Sequence, residues 1–343
     1  MRAGIYQGIG KVTVEDLPVP EPGPKDVLVR NVRAGICGTD LGAFTRGGDD
    51  VGIFPGNEFG HEFTSRVVEV GAEVEGITEG MRVWVNPCTS KRLGQGRSAV
   101  EVADSAGGLS EYIVVEEAAI GYNIHPLPDV VTFDEAVLVE PFSVAMHGLN
   151  AVDLTKVRRA IVFGAGAIGL GAVANLKAVG VEQVIVVDVV PHRLEVAHKL
   201  GGIPFDGGSG DAMAFARETL GTVRNMNDVE LPDAQIWVDA AGAASVTEQY
   251  AAHGAPGSTL ISLALSANQV TIPQAAFVLN VLSIVGRAGY EAKDVDQVIG
   301  FMAAKAYDAT PVVTHHVPLE DLPEAFRIAL EDPTAIKVVV DVE

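Results

Sequence analysis

One stretch decides the fold of this 343-residue chain: Arg159-Ala160-Ile161-Val162-Phe163-Gly164-Ala165-Gly166-Ala167-Ile168-Gly169. Its first five residues form an apolar run of buried-strand length, and the small and apolar residues at 168–179 favour a helix. A second apolar run, Gln183–Asp188, precedes a second helical segment at 193–200. Repeated alternation of strand and helix predicts a parallel sheet with helices on both faces.

The glycines of this stretch have the setting of a dinucleotide-binding turn. Gly164 permits the tight turn, Gly166 lets the backbone approach a pyrophosphate, and Gly169 lets the helix close on the sheet. Ala167 and Ile168 open the helix, whose N-terminal N–H groups and dipole favour phosphate. The simpler alternative is that the glycines only shape a tight turn.

Asp188 ends the second predicted strand, 24 positions after Gly164. A carboxylate at this place accepts hydrogen bonds from the adenosine ribose hydroxyls and repels a 2′-phosphate, so the sequence favours NAD over NADP. Arg193 keeps NADP as an alternative cofactor, because a guanidinium can pair with a 2′-phosphate. We expect Arg193 instead to pack beside the adenine or to form a surface ion pair.

The rest of the chain has a different predicted pattern, in which short strands alternate with turns. The β-like runs before residue 150 lie at 4–6, 12–14, 27–32, 66–70, 82–85 and 111–115. We expect a long loop or lobe at 86–110, helices at 294–306 and 319–330, and a closing strand at 337–340. These patterns predict two domains, one formed by residues 1–149 with 288–343 and the other by residues 150–287.

Composition and charge narrow the classes of partner. The net charge of −21 and the few aromatic residues argue against a nucleic acid or an anionic membrane as partner. We expect no signal segment at the start, Met1-Arg2-Ala3-Gly4, and no run of about 18 apolar residues that could span a membrane. Two cysteines exclude a disulfide framework, and a cytoplasmic protein with a small-molecule substrate is expected.

Four residues in short, glycine- or proline-containing phrases form a candidate metal site: Cys37, His61, Glu62 and Glu140. One soft sulfur, one imidazole and one or two carboxylates suit a zinc ion with a position left open for substrate. Each residue alone has an ordinary explanation, as a small core residue, a surface pair or a helix-start residue. Their combination in a chain with a dinucleotide turn favours a catalyst.

The same phrases resemble those of the zinc-dependent medium-chain alcohol dehydrogenase family, and the resemblance runs the length of the chain. The phrases that carry it are Gly35-Ile36-Cys37-Gly38-Thr39-Asp40, Pro55-Gly56-Asn57-Glu58-Phe59-Gly60-His61-Glu62-Phe63, Val68-Glu69-Val70-Gly71, and Glu140-Pro141 leading to His147. A Glu-Pro glutamate in place of a second cysteine is similar to the sorbitol, threonine and glucose dehydrogenase branch.

The resemblance implies an α/β fold with a GroES-like, β-rich catalytic domain and a Rossmann-type cofactor domain with a doubly wound parallel sheet. It implies that Cys37 and His61 bind a catalytic zinc, with Glu62 or Glu140 approaching the metal directly or through water. It further implies that Ala240, Ala241 and Leu263 line the nicotinamide side, that Lys337 reaches the pyrophosphate, and that residues 277–285 join subunits in a homodimer or homotetramer.

Three departures from the family pattern sharpen these expectations. The structural-zinc lobe of the family has four cysteines, whereas residues 86–110 contain only Cys88, so we expect one catalytic zinc and no structural zinc. The relay histidine that many members have five positions after the ligand cysteine is Gly42 here. Proton transfer must then use Thr39, water or Glu140. The glycine expected three positions after Glu62 is Ser65.

The expected reaction is hydride transfer between NAD and a secondary alcohol or polyol, or the corresponding ketone. Thr39 is expected to hydrogen-bond the substrate oxygen, although a turn hydroxyl is its simpler role. Two other readings remain: a zinc-free enzyme similar to the quinone reductases, and a dinucleotide-binding protein without turnover. The presence of the Cys, His and Glu residues argues against both.

Overall fold

The computed structural model describes residues 1–87 and 107–343. These residues divide into two compact units, the first formed by Met1–Glu140, Val295–Ala303 and Val312–Glu343, the second by Pro141–Asp294 and Ala304–Pro311. Two helices run across the limits between the units, and the predicted domain limits at 149/150 and 287/288 stay a prediction. Among the described residues, none of the helices is both long and apolar enough to cross a membrane.

The strands of the described chain are, in order, β1 Arg2–Gly8, β2 Lys11–Asp16, β3 Val27–Gly35, β4 Asn57–Glu58, β5 Glu62–Val70, β6 Arg82–Val85, β7 Tyr112–Val115, β8 Ile124–Pro126, β9 Arg159–Phe163, β10 Gln183–Asp188, β11 Ile203–Asp206, β12 Thr222–Arg224, β13 Glu230–Pro232, β14 Ile236–Asp239, β15 Thr259–Ser262, β16 Ser283–Gly286, β17 Val313–Pro318 and β18 Lys337–Asp341.

The helices are α1 Gly38–Arg46, α2 Phe133–Ala136, α3 Val139–Leu149, α4 Ala167–Ala178, α5 Pro191–Lys199, α6 Ala212–Leu220, α7 Ala244–His253, α8 Gln274–Asn280, α9 Ala292–Ala303 and α10 Leu322–Glu331, with short 3₁₀ turns at Asp49–Val51, Leu154–Lys156, Thr310–Val312 and Leu319–Asp321.

The first unit is built mainly on antiparallel strands, and only β17 and β18 among its described strands pair in parallel. Its larger sheet has the order β17-β18-β3-β5-β6-β8, and β7 also pairs with β3. A smaller sheet has the order β2-β1-β4. Because β3 lies at the centre, its nine residues are almost all buried, and the end of β3 delivers the chain to α1. The core beside it includes Phe59 and Phe326, whose ring centroids are 5.8 Å apart.

The second unit is a six-stranded parallel sheet in the order β11-β10-β9-β14-β15-β16. Numbered from β9, this is the 3-2-1-4-5-6 order of a doubly wound nucleotide-binding sheet, with its topological switch between β9 and β14. The central strands β9 and β14 are apolar except for Arg159 at the start of β9 and Asp239 at the end of β14, because helices cover both faces. The predicted α/β fold class is confirmed, and the predicted strand Gln183–Asp188 has the same limits in the structure.

The C-terminal helices differ in detail from the predicted ranges. The helix predicted at 294–306 spans Ala292–Ala303, and Lys305 beyond its end has a left-handed φ of 51°, which an α-helix cannot continue through. The helix predicted at 319–330 begins as a 3₁₀ turn, Leu319–Asp321, before the α-helix proper. Pro323 in the first turn of that helix lacks an N–H, which costs nothing at this position.

Candidate active site

Cys37 is placed by the end of the central strand β3 and the start of α1. It is the residue just before α1, with extended backbone angles, and is half-buried. The Asp40 carboxylate turns back and accepts a hydrogen bond of 2.9 Å from the Cys37 N–H. Asp40 is fully buried, so this bond fixes the entry to the helix in a place that water does not reach.

His61 and Glu62 reach the same place because β5 pairs with β3. In the register of these strands Glu62 stands opposite Gly35. A Cβ on Gly35 would come within 2.5 Å of the Glu62 carboxylate, so only glycine leaves room for that side chain to fold across the strand. His61 and Glu62 are both buried, with 6% and 1% exposure.

The side chains of Cys37, His61 and Glu62 converge. One ligand atom from each, a sulfur, a ring nitrogen and a carboxylate oxygen, lies within 4.8 Å of the others. Thr39 lies beside them, with its Oγ1 at 3.4 Å from His61 Nε2. On the other side of the ring, Asp40 Oδ1 is 3.9 Å from His61 Nδ1. The structure thus brings together residues that lie up to 25 positions apart in the sequence.

The structure places Lys337 beside the candidate metal site. Its ammonium is buried in the first unit, where it donates a 3.0 Å hydrogen bond to the Ile36 carbonyl and forms an ion pair with Glu62. It is therefore a partner of the candidate metal site, and its predicted contact with a pyrophosphate stays a prediction. The one sequence signal was a lysine directly before the apolar run 338–340 of this strand.

Glu140 lies in the first turn of α3 and is also buried. It is not one of the three converging ligands, but its charge interacts with those of His61, Glu62 and Lys337. Burial, reinforced by the negative charge of Glu62, raises the pKa of Glu140 to about 7. A carboxyl group with such a pKa can hold or release a proton near neutral pH.

The ligand residues influence each other's protonation. Burial and the charge of Glu62 raise the pKa of the Cys37 thiol, while His61 and Lys337 act in the opposite direction. Burial lowers the pKa of His61, but the hydrogen bond and charge of Cys37, together with Asp40 and Glu140, outweigh it and raise that pKa well above its ordinary range. The negatively charged groups around His61 therefore favour a positive charge at this place.

This donor set fits a zinc ion. A thiolate, an imidazole and a carboxylate are the ligands that zinc accepts, and three of them leave a further position open. Asp40 Oδ1 is buried without a hydrogen-bond partner among the described residues, beside the ring nitrogen that faces away from Thr39. A carboxylate in that place orients a ligand histidine. Cys88, the remaining cysteine, lies outside the described residues.

The glycine turn of the second unit has the geometry that phosphate binding needs. Gly164 has a φ of +93°, and a Cβ on it would come within 3.0 Å of the backbone of Ala240 and Ala241. A Cβ on Gly169 would stand 1.8 Å from the Gly164 carbonyl oxygen, so helix α4 packs closely on this turn. A Cβ on Gly166 would meet nothing within 4 Å, which leaves open space at the N-terminus of a twelve-residue helix.

Asp188 and Arg193 lie near this turn. The Asp188 carboxylate accepts a 2.6 Å hydrogen bond from the Ala165 N–H and bonds from the N–H groups of Val189 and Val190 at 2.7 and 2.9 Å. It is thereby held at the carboxyl end of β10, next to the glycines. Arg193 is half-buried on α5, the helix that follows β10. Ala167 and Ile168, in the first turn of α4, are also half-buried.

The other predicted cofactor residues lie at the same edge of the sheet. Ala240 follows β14, and its N–H donates to the Phe163 carbonyl of β9 at 2.9 Å. Leu263 follows β15 and donates its N–H to the Asp239 carbonyl at 2.9 Å. Both lie at or beside the switch between β9 and β14, where open α/β sheets bind their ligands.

Comparisons with known proteins agree with this geometry. The family model described as "Alcohol dehydrogenase GroES-like domain" matches residues 23–129, and the one described as "Zinc-binding dehydrogenase" matches residues 167–304. Sorbitol dehydrogenase of Macaca fascicularis is 32% identical over 337 residues, which cover 94% of this chain and 91% of that protein. The chain belongs to the zinc-type medium-chain alcohol dehydrogenase family. Within this family it lies in the sorbitol dehydrogenase-like branch.

Further relatives show the same family likeness. The sorbitol dehydrogenase of Gallus gallus is 32% identical over 341 residues, covering 95% of this chain and 92% of that protein. Among solved structures, 2R,3R-butanediol dehydrogenase from Bacillus subtilis superposes with a TM-score of 0.87 at 26% identity, covering 100% of this chain and 99% of that one. The predicted family, its fold class and its character as an oxidoreductase are confirmed.

Proposed function

We propose that this protein oxidises a secondary alcohol of a polyol to a ketone, or reduces the ketone, with NAD(H) as cofactor. The alcohol carbon gives up a hydride and its oxygen a proton, so NAD⁺ becomes NADH and one proton is released. The observation that carries this proposal is the convergence of Cys37, His61 and Glu62 within 4.8 Å of one another. The sorbitol dehydrogenases among its relatives support a polyol as the substrate class.

We propose one zinc ion, held by Cys37, His61 and a carboxylate. When bound, zinc supplies Lewis acidity that polarises the substrate oxygen and lowers the pKa of the alcohol. Glu62 is within reach of the other two ligands but is also paired with Lys337, and Glu140 is the second carboxylate of this cluster. Asp40 orients His61 from behind. The absence of a structural zinc remains a proposal from the cysteine content.

Two residues are suited to handle the proton of the alcohol. Thr39 Oγ1, beside His61, is placed to hydrogen-bond the substrate oxygen. Glu140 can hold a proton on its carboxyl group at neutral pH because burial raises its pKa to about 7. In this chain, where Gly42 offers no side chain, these groups take the part of a relay histidine.

We propose that the second unit binds NAD through its glycine turn and Asp188. The turn of Gly164, Gly166 and Gly169 leaves space for the pyrophosphate at the start of α4, where Ala167 and Ile168 provide N–H groups. Asp188 already accepts bonds from three backbone N–H groups and offers negative charge to ribose hydroxyls, which disfavours a 2′-phosphate. Ala240 and Leu263 would line the nicotinamide side.

We also propose a homodimer or homotetramer. The region at 277–285 lies on the edge strand β16 and the end of α8, and it exposes Val278, Leu279, Val281 and Ile284 at 70%, 47%, 69% and 41%. A strand at the edge of a sheet, with exposed apolar residues beside it, favours association with a second copy.

A metal assay combined with ligand variants tests the proposed function. Protein purified without chelator is expected to contain about one zinc per chain, as a three-residue catalytic site implies. Cys37→Ser and His61→Ala are expected to lose zinc and polyol oxidation while NAD binding, measured by fluorescence titration, is retained. Less than half an equivalent of zinc, or full activity in either variant, would contradict the proposal and favour a zinc-free reductase.

A further inference from the structure

Helix α1 carries a second functional candidate, Arg46, in its last turn. The residue is exposed, and no described carboxylate lies within the 4.0 Å of an ion pair from its guanidinium. Asp49 and Asp50 follow it in the next turn without pairing with it. In a chain with 45 acidic and 24 basic residues, this positive charge is left available for a ligand.

Arg46 lies on the same helix face as Thr39. The two residues are seven positions apart, which places them about 20° from each other around the helix axis. Arginine side chains in a helix lie back over the preceding turn. Here the Arg46 Nη2 is 3.1 Å from the point where a Cβ on Gly42 would stand. The missing side chain at position 42 thus lets the guanidinium lie along the helix in the direction of Thr39.

The guanidinium is at the right distance to contact a substrate held beside Thr39. Gly42 is three residues from Thr39, or about 4.5 Å along the helix axis, and the side chains extend outward from there. A separation of roughly 6–9 Å between the Thr39 hydroxyl and the guanidinium follows. This separation is on the order of the length of an extended chain of five carbon–carbon bonds, each about 1.5 Å long.

We propose that Arg46 binds an anionic group at the far end of the substrate, so that the preferred substrate is a straight-chain polyol ending in a carboxylate or a phosphate. This inference rests on the proposed function and names the substrate class of the same site. The anionic group is unchanged in the reaction, in which the alcohol carbon gives a hydride to NAD⁺ and the oxygen releases a proton. A guanidinium suits either anion, because its N–H groups match two oxygens at once.

The charge of the whole protein makes a local cation more important. A net charge of −21 repels an anionic substrate from most of the surface. An unpaired guanidinium near the candidate metal ligands offsets this repulsion where the substrate must bind. The attraction is between partly exposed groups, so it weakens as salt is added.

The test compares a neutral polyol with its anionic counterparts on the zinc-loaded protein. Sorbitol, sorbitol 6-phosphate and gluconate are assayed by NADH absorbance, and each is also titrated calorimetrically to give a Kd without turnover. The two anions separate a phosphate from a carboxylate preference. We expect the better anion to have a kcat/KM about tenfold or more above that of sorbitol, since a charged hydrogen bond is worth about that factor.

Arg46→Gln is the decisive variant, with Lys25→Gln as its control. Lys25 is exposed and lies just before β3, at the end of that strand opposite the one that leads to Cys37. Its replacement by Gln changes the net charge by the same amount as Arg46→Gln. We expect Arg46→Gln to lower the anion-to-neutral ratio of both kcat/KM and Kd about tenfold. Lys25→Gln is expected to leave the ratio as in the wild type, and added salt to lower the ratio only when Arg46 is present.

Three results would overturn the inference. One is a wild-type ratio at or below one; another is an equal ratio in wild type and Arg46→Gln. A third is a higher KM for NAD in the variant with an unchanged substrate ratio, which would assign Arg46 to the cofactor. Oxidation of sorbitol without preference for the anions removes this inference alone. If none of the polyols is oxidised, the proposed function itself fails.

Discussion

Lys337 and Glu62 form a buried ion pair that joins the closing strand β18 to the first residue of β5. The side chains of Lys337 and Glu62 are 4% and 1% exposed, so water cannot solvate one charge when the other is removed. Gly35 on the intervening strand β3 makes the pair possible, because a Cβ there would come within 3.1 Å of Lys337 Cδ. The pair holds the carboxylate of the candidate metal site in a position set by the fold.

Removal of this lysine is expected to destabilise the first unit strongly. Lys337→Met leaves the Glu62 charge buried without its partner, which typically costs about 3–5 kcal/mol. The urea midpoint, followed by tryptophan fluorescence, should fall, and zinc content should change with it. Lys25→Met is the control for loss of an exposed lysine. A Lys337→Met midpoint equal to that of the control would mean that the pair contributes little.

Asp40→Asn tests the orientation of His61. The variant keeps an oxygen that can accept the bond from the Cys37 N–H but removes the charge beside His61 Nδ1. We expect zinc affinity to fall about 10–100-fold, as for other residues that orient a metal ligand. Competition with a chromophoric chelator measures this, and circular dichroism checks that the fold is retained. An unchanged affinity would show that Asp40 only caps the helix.

Asp188→Ser is expected to weaken the choice of NAD over NADP. The variant removes the negative charge at the end of β10 together with the bond accepted from the Ala165 N–H. We expect the ratio of kcat/KM for NAD to that for NADP to fall by about tenfold or more, through loss of the ribose hydrogen bonds and of the repulsion. A ratio that does not change would place the adenosine ribose elsewhere.

The family pattern has a glycine where this chain has Ser65. The Ser65 hydroxyl should contribute to the stability of the folded protein. Its Oγ donates a 2.7 Å hydrogen bond to Asn31 Oδ1, and both residues are fully buried. The Asn31 amide in turn donates to the carbonyl groups of Gly107, Gly108 and Ser110. Ser65→Ala leaves the Asn31 oxygen unpaired, which costs about 1–3 kcal/mol.

Chemical unfolding of Ser65→Ala, with the exposed Thr45→Ala as the comparison, measures this cost. A smaller loss in Ser65→Ala than in Thr45→Ala would be inconsistent with the contribution assigned to the buried bond.

The stability of helix α6 should depend on pH through Asp211. Hydrogen bonds from the N–H groups of Ala214 and Met213 lower the pKa of this carboxylate below its ordinary value of 3.8. A lowered pKa in the folded state stabilises the protein above pH 3.8, and the gain is lost as the pH falls through the folded pKa.

We therefore expect Asp211→Ala to lower Tm at pH 7. The difference in Tm between wild type and variant should become smaller below about pH 4. A thermal unfolding series over pH supplies the comparison. A difference that stays constant with pH would show that the charge of Asp211 plays no part.

The sequence alone was sufficient for the nucleotide-binding unit and for three of the candidate ligands. A strand, a glycine turn and a helix follow one another within residues 159–179, so local turn chemistry and apolar runs determine them. The phrases around Cys37 and His61 pointed to a metal because of their residue types. Helix limits were less predictable, since a left-handed residue such as Lys305 shows only in the backbone.

Tertiary structure decided what depends on residues distant in the chain. Lys337 lies 275 positions from Glu62, and only the pairing of β18, β3 and β5 brings their charges together. The same pairing sets Gly35 opposite Glu62, and the fold of α1 sets the Arg46 guanidinium over Gly42. Residue type and spacing can indicate that a metal and a dinucleotide bind, because those signals are local. Which charges are paired and which remain free is settled by packing alone.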